Sequence, residues 1–315
     1  LHPHLTNILS EYRHLAGVGM AYILASSLAK KMNSKEALGQ ARDLFCIGTI
    51  ADMVQLTGAN RIILKEGLDN LHKTNNKGLK ALIQIAGIRD EKIDEDTIGF
   101  KIAPRINAVG RIGDPKLIIE LLTEEEDAKV LELAKKCDDL NQLRREISDG
   151  IEAEANALLE SDKSDTPNFI LIAQNHWNQG VIGIAASKIS EKYNRPTALL
   201  AGSGNGKFRA SVRGPEGFSI IECLDKCSQL LESYGGHNAA AGFTVQAQNV
   251  GFLTEQLNKQ AASFAIRNKK RVFKPEVLIK FNEINSEFWN ALNKLKPFGI
   301  GNPKPLFWSR KIKVI

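Results

Sequence analysis

A long helical pattern in the middle of the chain places the strongest constraint on its fold. Thr123 is followed by three glutamates, Glu124–Glu126, which favour a helix start because acidic side chains interact well with the positive end of the helix dipole. From there, apolar residues recur at spacings of three, four or seven up to about Glu160. A continuous helix of this length would span roughly 55 Å. We therefore expect it to connect two separate compact regions.

Length and composition agree with a folded chain of more than one domain. The 315 residues are 43% hydrophobic and 25% charged, which is ordinary for a globular protein and argues against disorder. The longest apolar runs, such as Val181–Ala186, are far shorter than the roughly 20 residues of a membrane-spanning helix. No signal peptide is visible at the start, but this tells little of a chain that we expect to be a fragment. We expect a protein without a membrane partner, and a cytoplasmic one because its cysteines are predicted to be reduced thiols.

The net charge of +6 is concentrated near the C-terminus. Residues 262–315 hold twelve Lys or Arg and three Glu, a net charge of +9, so the rest of the chain carries −3. A basic terminal module on a near-neutral body indicates a polyanionic partner, most simply a nucleic acid. A solvated cationic surface is the alternative that the charge alone leaves open.

The patterns of apolar residues predict an α/β fold. We expect a buried strand over Leu44–Ile50 whose end presents Asp52, and a domain boundary at the polar segment Ser161–Pro167. Helices are expected over 16–31, 59–71, 77–87, 181–193, 218–232 and 252–268, and strands over 169–173 and 197–201. Strand patterns over 272–281 and 306–315, around a helical 286–296, predict the start of a third, β-rich module.

The four cysteines are predicted to be reduced thiols in the core. They sit among apolar neighbours, and Cys223 and Cys227 share one face of a predicted helix. This pair lacks the second pair of ligands that a structural zinc site requires.

Two glycines present a single imidazole at Gly235, Gly236 and His237. Glycine allows the backbone to approach a ligand closely, so that neighbouring N–H groups can meet an anion. The alanines that follow predict a helix packed close behind this turn. A phosphate-contacting site and a strand-to-helix turn with a buried histidine both stay open from these residues alone.

Two further polar segments are candidates for ligand binding. Ile102–Arg111 is too polar and interrupted for a core element, so we expect a loop or helix edge that carries two arginines outward. His176 and Gln179 begin a loop-to-helix segment, and the helix that follows Gly180 offers free N–H groups at its N-terminus.

Five segments, in this order and spacing, resemble the RecJ family of single-strand-specific 5′-to-3′ DNA exonucleases, within the DHH phosphoesterase superfamily. They are Gly48–Asp52, Pro104–Arg111, His176–Gly183, Ser211–Arg213 and Gly235–His237. The resemblance runs from about Ala16 to the last residue. It implies the C-terminal part of a parallel-sheet DHH lobe with an interlobe segment (1–115), a long connecting helix (116–166), a DHH-associated substrate-binding lobe (167–270) and a truncated OB-type nucleic-acid-binding domain (271–315).

The resemblance also implies roles for individual residues. Asp52 would be a catalytic carboxylate and metal ligand in a two-ion Mn²⁺ or Mg²⁺ site, and His237 a catalytic contact of the scissile phosphate. Ser211 and Arg213 would grip a 5′-phosphate through a hydroxyl and a bidentate guanidinium. Asn178 stands where the family often has a second histidine, and it carries no charge. The other implied substrate-binding residues are Arg105, Asn107, Arg111, His176, Gln179, Gly235 and Gly236.

The expected function is metal-dependent hydrolysis of single-stranded DNA from the 5′ end in recombination and repair, by a monomer with a single-strand-binding protein as partner. The family's earlier aspartate motifs and its Asp-His-His motif are absent, so we expect a fragment with an incomplete two-ion site and little cleavage. One alternative is a DHH phosphodiesterase of short oligonucleotides or cyclic dinucleotides, which the basic tail argues against. Another is a non-catalytic nucleic-acid-binding scaffold, which the retained Asp52 and His237 argue against.

Overall fold

One helix of 35 residues, α8 (Asp127–Ser161), belongs to both of the units into which the chain divides. The first unit comprises residues 1–141 and 273–315, and the second comprises residues 142–272. The computed structural model describes residues 3–88, 92–161, 166–267 and 275–310. Within these ranges, no helix has the length and apolar character needed to cross a membrane.

The N-terminal part of the first unit is helical throughout its described residues. Its core joins buried side chains such as Phe45, Leu64 and Ile102, and a second cluster around Leu82 and Leu121 packs against α8. The helices are α1 (Gly17–Lys31), α2 (Lys35–Ala51), α3 (Gly58–Leu68), α4 (Lys77–Ile85), the single turn α5 (Glu95–Thr97), a π-helical turn (Ile98–Ile102), α6 (Ala103–Ile112) and α7 (Lys116–Thr123).

The strand predicted over Leu44–Ile50 is wrong, because these residues form the last turns of α2. α2 begins well before the apolar run. Its N-cap residue is Ser34, whose hydroxyl accepts a hydrogen bond of 3.3 Å from the Ala37 amide. A short apolar run fits a buried strand and a helix buried on several sides equally well. Asp52 therefore ends a helix rather than a strand.

Of the two possibilities expected for Ile102–Arg111, a loop or a helix edge, the structure shows a helix, because α6 covers most of the segment. Pro104 lies in the first turn of α6, where its missing N–H costs no hydrogen bond. The long helix was expected from Thr123, but that residue ends α7. Glu124 lies between α7 and α8, and its carboxylate accepts hydrogen bonds from the next two amides just before α8 begins.

The second unit is built on a five-stranded mixed sheet, which confirms the α/β class. Its strands are β1 (Ile170–Gln174), β2 (Thr197–Gly202), β3 (Lys207–Arg213), β4 (Ser233–Gly236) and β5 (Ala240–Gln246), in the order β1-β2-β3-β5-β4. β1 and β2 are parallel and are joined through α9 (Ile182–Tyr193), while the other pairs are antiparallel. Helices α10 (Ile220–Asp225) and α11 (Val250–Arg267) contribute to the core of this unit.

Sequence patterns correctly located β1, α9, β2 and α11 but missed the antiparallel half of the sheet. The helix predicted over 218–232 is wrong beyond α10, because a 3₁₀ turn (Ser228–Leu230) and then β4 follow. The helix expected behind Gly235 and Gly236 is wrong as well, because the alanines lie in β5. In β5 the buried residues Ala241, Phe243 and Val245 alternate with less buried ones. Their apolar side chains at every second position are the sequence signal that would have identified this strand.

The C-terminal segment adds a parallel pair of short strands, β6 (Val277–Leu278) and β7 (Phe307–Trp308), around α12 (Ser286–Asn293). The strands predicted over 272–281 and 306–315 extend into 272–274 and 311–315, which lie outside the described residues.

A buried carboxylate holds this C-terminal segment on the helical part of the first unit. Glu95 is 5% exposed, and its Oε1 accepts a hydrogen bond of 2.8 Å from the Phe298 amide. Nearby, the Leu56 amide donates to the Ile300 carbonyl at 2.7 Å. These bonds join segments that are far apart in sequence.

The cysteines are core residues, as the sequence predicts. All four are buried and unpaired. Burial raises the pKa of the Cys46 and Cys223 thiols to about 12, which leaves them protonated near neutral pH.

We predict that Glu95→Ala loosens the C-terminal segment. The Phe298 amide would lose its acceptor, and leaving a buried donor unsatisfied costs about 1–3 kcal/mol. Hydrogen exchange of that amide should accelerate accordingly. Glu95→Gln keeps an acceptor oxygen and should retain most of the protection; equal exchange in wild type and Glu95→Ala would contradict this role.

Candidate nucleic-acid interface

One face of β3 carries polar side chains in the middle of the second unit's sheet. Arg209, Ser211 and Arg213 alternate with the buried Ala210 and Val212. Because successive residues of a strand point to opposite faces, the three polar side chains share the face that turns away from the main core.

The first turn of α9 lies directly against this polar face. A β-carbon at Gly183 would come within 2.8 Å of Ser211 Oγ and 3.1 Å of Arg213 Nη2. Glycine is therefore required here unless those two side chains move. The free N–H groups expected at the start of α9 are largely absent, because the Ile182 and Ile184 amides donate to the Asn178 and Val181 carbonyls. The helix start still carries the positive end of the helix dipole. Together these groups form a donor-rich, cationic site that suits a phosphate.

Arg213 is held in place by its neighbours on β3. Its Nη1 donates to Ser211 Oγ at 3.2 Å and to the Val212 carbonyl at 2.8 Å. The guanidinium is half-buried, so less side-chain entropy is lost when a ligand binds.

The loop between β1 and α9 is ordered by its own side chains. Asn178 Oδ1 accepts from the Gly180 amide at 2.9 Å, and the Asn178 carbonyl accepts from the Ile182 amide at 3.1 Å. Gln179 Nε2 donates to the Gly202 carbonyl at 2.8 Å, at the end of β2. Asn178, which stands where the RecJ family often has a second histidine, thus orders the loop that leads into α9.

Glu154 of α8 anchors the same loop, a contact that sequence reasoning did not identify. Its Oε2 lies 2.7 Å from Trp177 Nε1 and 3.0 Å from His176 Nε2. The indole hydrogen bond, followed by the interaction with His176, holds the pKa of Glu154 below its usual range. Trp177 is buried, whereas the His176 side chain is 66% exposed with one ring nitrogen engaged.

The glycine-glycine-histidine segment forms a tight hairpin rather than a strand-to-helix turn. The His237 amide donates to the Ala240 carbonyl at 2.8 Å, closing the turn between β4 and β5. Asn238 Oδ1 accepts from Ser219 Oγ at 3.1 Å, which ties the turn to the start of α10. The His237 side chain is exposed, so the buried-histidine alternative is wrong.

The two glycines of the hairpin differ in what they do. Gly236 has a φ of +146°, and a β-carbon there would lie 2.4 Å from Ala241 Cα, so the fold requires glycine. At Gly235 a β-carbon would meet nothing within 4 Å. Glycine at this position keeps the sheet surface open instead.

Strand register brings part of the predicted site together. Ser211 pairs with Gly242 of β5, which pairs with Gly235 of β4, and Arg213 pairs with Ala240. Small residues thus cover the sheet beside Ser211 and Arg213, and they leave a groove of about 610 Å³.

Four of the predicted site residues lie in the first unit. Asp52 is exposed at the end of α2, and Asn107 Nδ2 lies 3.4 Å from the Ala51 carbonyl. Arg105 does not point outward as predicted, because its Nε lies 2.8 Å from Asp138 Oδ1 and the two side chains are 13% and 18% exposed. Arg111 is exposed.

The described residues do not by themselves make up a metal centre. Across these ranges, no group of three His, Cys, Asp or Glu side chains is placed to hold an ion. Asp52 offers one hard oxygen ligand, of the kind that Mg²⁺ and Mn²⁺ prefer.

Comparison with known proteins decides the family. Residues 166–263 match the DHHA1 domain model and residues 276–315 the RecJ OB domain model. The single-stranded-DNA-specific exonuclease RecJ of Bacillus subtilis is 36% identical over 307 residues, which cover 97% of this chain and 38% of that protein. The chain belongs to the RecJ family.

Solved structures of this family agree with the fold. RecJ of Thermus thermophilus in complex with Mg²⁺ aligns with a TM-score of 0.82 at 30% identity, covering 97% of this chain and 47% of that one. Its complex with Mn²⁺ aligns with a TM-score of 0.83, covering 98% and 45%. The chain thus spans less than half the length of these RecJ proteins.

We predict that the two hairpin glycines respond differently to alanine. Gly236→Ala should destabilise the second unit, because the β-carbon clashes with backbone and the φ is strained. Gly235→Ala should leave the unfolding transition close to that of the wild type. Thermal unfolding followed by circular dichroism compares them, and equal destabilisation by the two substitutions would contradict the distinction.

Proposed function

We propose that this chain holds and positions single-stranded DNA in a metal-dependent exonuclease that hydrolyses phosphodiester bonds from the 5′ end. The close approach of Gly183 to Ser211 and Arg213 carries the proposal, because it brings the positive end of the α9 dipole beside a hydroxyl and a guanidinium. The names of RecJ relatives, which are single-stranded-DNA-specific exonucleases, support it.

The Ser211–Arg213 site would bind the terminal 5′-phosphate. Arg213 supplies a permanent charge and N–H donors, Ser211 supplies a hydroxyl donor, and the start of α9 adds the positive end of the helix dipole. A terminal phosphate carries more charge and more free oxygens than an internal linkage, so this site favours a free 5′ end. All these contacts address phosphate rather than bases, which gives little sequence preference.

His237 and Asp52 would have two different catalytic roles. The exposed turn presents His237 to the scissile phosphate, and Asp52 would contribute one ligand to Mn²⁺ or Mg²⁺. When bound, two such ions activate water and stabilise the attacking and leaving oxygens. The other ligands would have to come from outside the described residues.

The remaining predicted residues would guide the strand. His176, held by Glu154, and Gln179 border the entry to α9, and Arg111 and Asn107 would contact backbone phosphates. Arg105 would act mainly by holding α6 against α8 through Asp138. A cytoplasmic location, a monomeric state and a single-strand-binding protein as partner belong to the same proposal.

A hybrid protein tests the activity. This chain would replace the matching segment of Bacillus subtilis RecJ, and the hybrid would be given Mn²⁺ and single strands labelled at either end. We expect mononucleotides to be released progressively from the 5′ end, with a 5′-blocked strand spared. Asp52→Asn should abolish release but leave strand binding, because only the metal ligand is lost.

Other outcomes of this experiment would contradict the proposal. Turnover of dinucleotides without attack on long strands would indicate a short-oligonucleotide phosphodiesterase. Strand binding without turnover, by a hybrid whose circular dichroism shows it to be folded, would indicate a scaffold. Full activity of Asp52→Asn would exclude Asp52 as a metal ligand.

We predict that Arg213→Ala weakens binding of 5′-phosphorylated strands about tenfold or more, because charge-assisted hydrogen bonds contribute about 1.5–3 kcal/mol. Binding of the same strands with a 5′-hydroxyl should change much less. Lys259→Ala on α11 removes the same charge from an exposed position and serves as the control. Fluorescence anisotropy in EDTA measures both ligands, and equal losses for the two strand ends would exclude the phosphate site.

A further inference from the structure

We infer that the groove beside Ser211 and Arg213 binds the second phosphate of the strand, the one that links the first two nucleotides, and that Arg209 is its main contact. This inference rests on the proposed function. No role for Arg209 follows from the predicted site residues.

The spacing of Arg209 and Ser211 along β3 matches the spacing of two successive phosphates. Arg209 lies two residues before Ser211 on the same strand face, about 6.6 Å further along at the usual rise of a strand. This is comparable to the distance between successive phosphates of an extended single strand. A terminal phosphate at Ser211 and Arg213 therefore brings the next one within reach of the Arg209 guanidinium.

The groove provides room and hydrogen-bonding groups for this second phosphate. Thr244 of β5 pairs with Arg209 on one side and with Ser233 of β4 on the other, so all three share one row of the sheet. Gln179 and Ser203 also line the groove. Its volume of about 610 Å³ falls within the usual range of small-ligand pockets.

Arg209 differs from the other cations of β3 in its partners. Lys207 pairs with Glu232 at 2.8 Å, and Arg213 bonds to Ser211 and Val212. The Arg209 side chain is exposed, and none of the described residues pairs with it. It therefore keeps its full set of donors for a ligand phosphate.

The experiment compares ligands with one and two phosphates in EDTA, which prevents cleavage. The probes are deoxythymidine 5′-monophosphate, the 5′-phosphorylated dinucleotide pTpT, and pTpT with an uncharged methylphosphonate linkage. Arg209→Ala should weaken the affinity for pTpT about tenfold or more and leave the affinity for the mononucleotide within about twofold of the wild-type value. The control Lys259→Ala should change neither ligand.

Two further readouts separate a phosphate contact from a structural effect. Arg209→Ala should reduce the salt slope of pTpT binding by about 0.7, the value for one lost contact to a single strand, with no change for the mononucleotide. Replacing the charged linkage by the methylphosphonate should weaken wild-type binding as much as Arg209→Ala weakens binding of pTpT. With the methylphosphonate ligand, Arg209→Ala should then cause no further loss of affinity.

The outcomes distinguish this inference from the function on which it rests. A wild-type chain that binds 5′-phosphorylated ligands, with Arg209→Ala unchanged or with equal losses for one and two phosphates, overturns only the role of Arg209. A wild-type chain without preference for a 5′-phosphate overturns the Ser211–Arg213 site as well.

Discussion

The packing of the first turn of α9 on β3 is the contact on which the candidate site depends. Residues of α9 such as Ala185, Ala186 and Ile189 are fully buried, and Gly183 lets the helix start come close to Ser211 and Arg213. The Ile182 and Ile184 amides are occupied by the Asn178 and Val181 carbonyls, so α9 contributes the positive end of its dipole beside the hydroxyl and the guanidinium. Since the loop before α9 is tied down by its own hydrogen bonds and by Glu154, the site is ordered before any ligand arrives.

The same sheet shows how the fold leaves one surface open. Gly236 is glycine because the hairpin needs its conformation, whereas Gly235 and Gly242 lie on the face that continues from Ser211. Side chains at these two positions would project over the sheet beside Ser211. Under the proposed function, this open surface lets a DNA strand approach the backbone closely.

The sequence predicted the parts of the fold that have strong local signals. α9 and α11 were correctly located because their apolar residues recur at helical spacing, and β1 and β2 because each is a short apolar run between polar or turn-forming residues. Leu44–Ile50 was misassigned because an apolar run has no period that separates a helix from a strand. β4 was missed because its stability comes from pairing with β5, a partner that its short, glycine-rich sequence does not indicate.

For the candidate site, sequence motifs indicated residue types but not neighbours. Ser211, Arg213 and Gly235 were selected from motifs, yet their alignment across three strands required the antiparallel register that was not predicted. Nothing in the sequence marks Glu154 as a partner of His176, 22 residues away. The most direct measurement is a metal-free crystal structure with 5′-phosphorylated pTpT. We expect the terminal phosphate within hydrogen-bonding distance of Ser211 Oγ and the Arg213 guanidinium. A dinucleotide bound on the opposite face of the sheet would contradict this site.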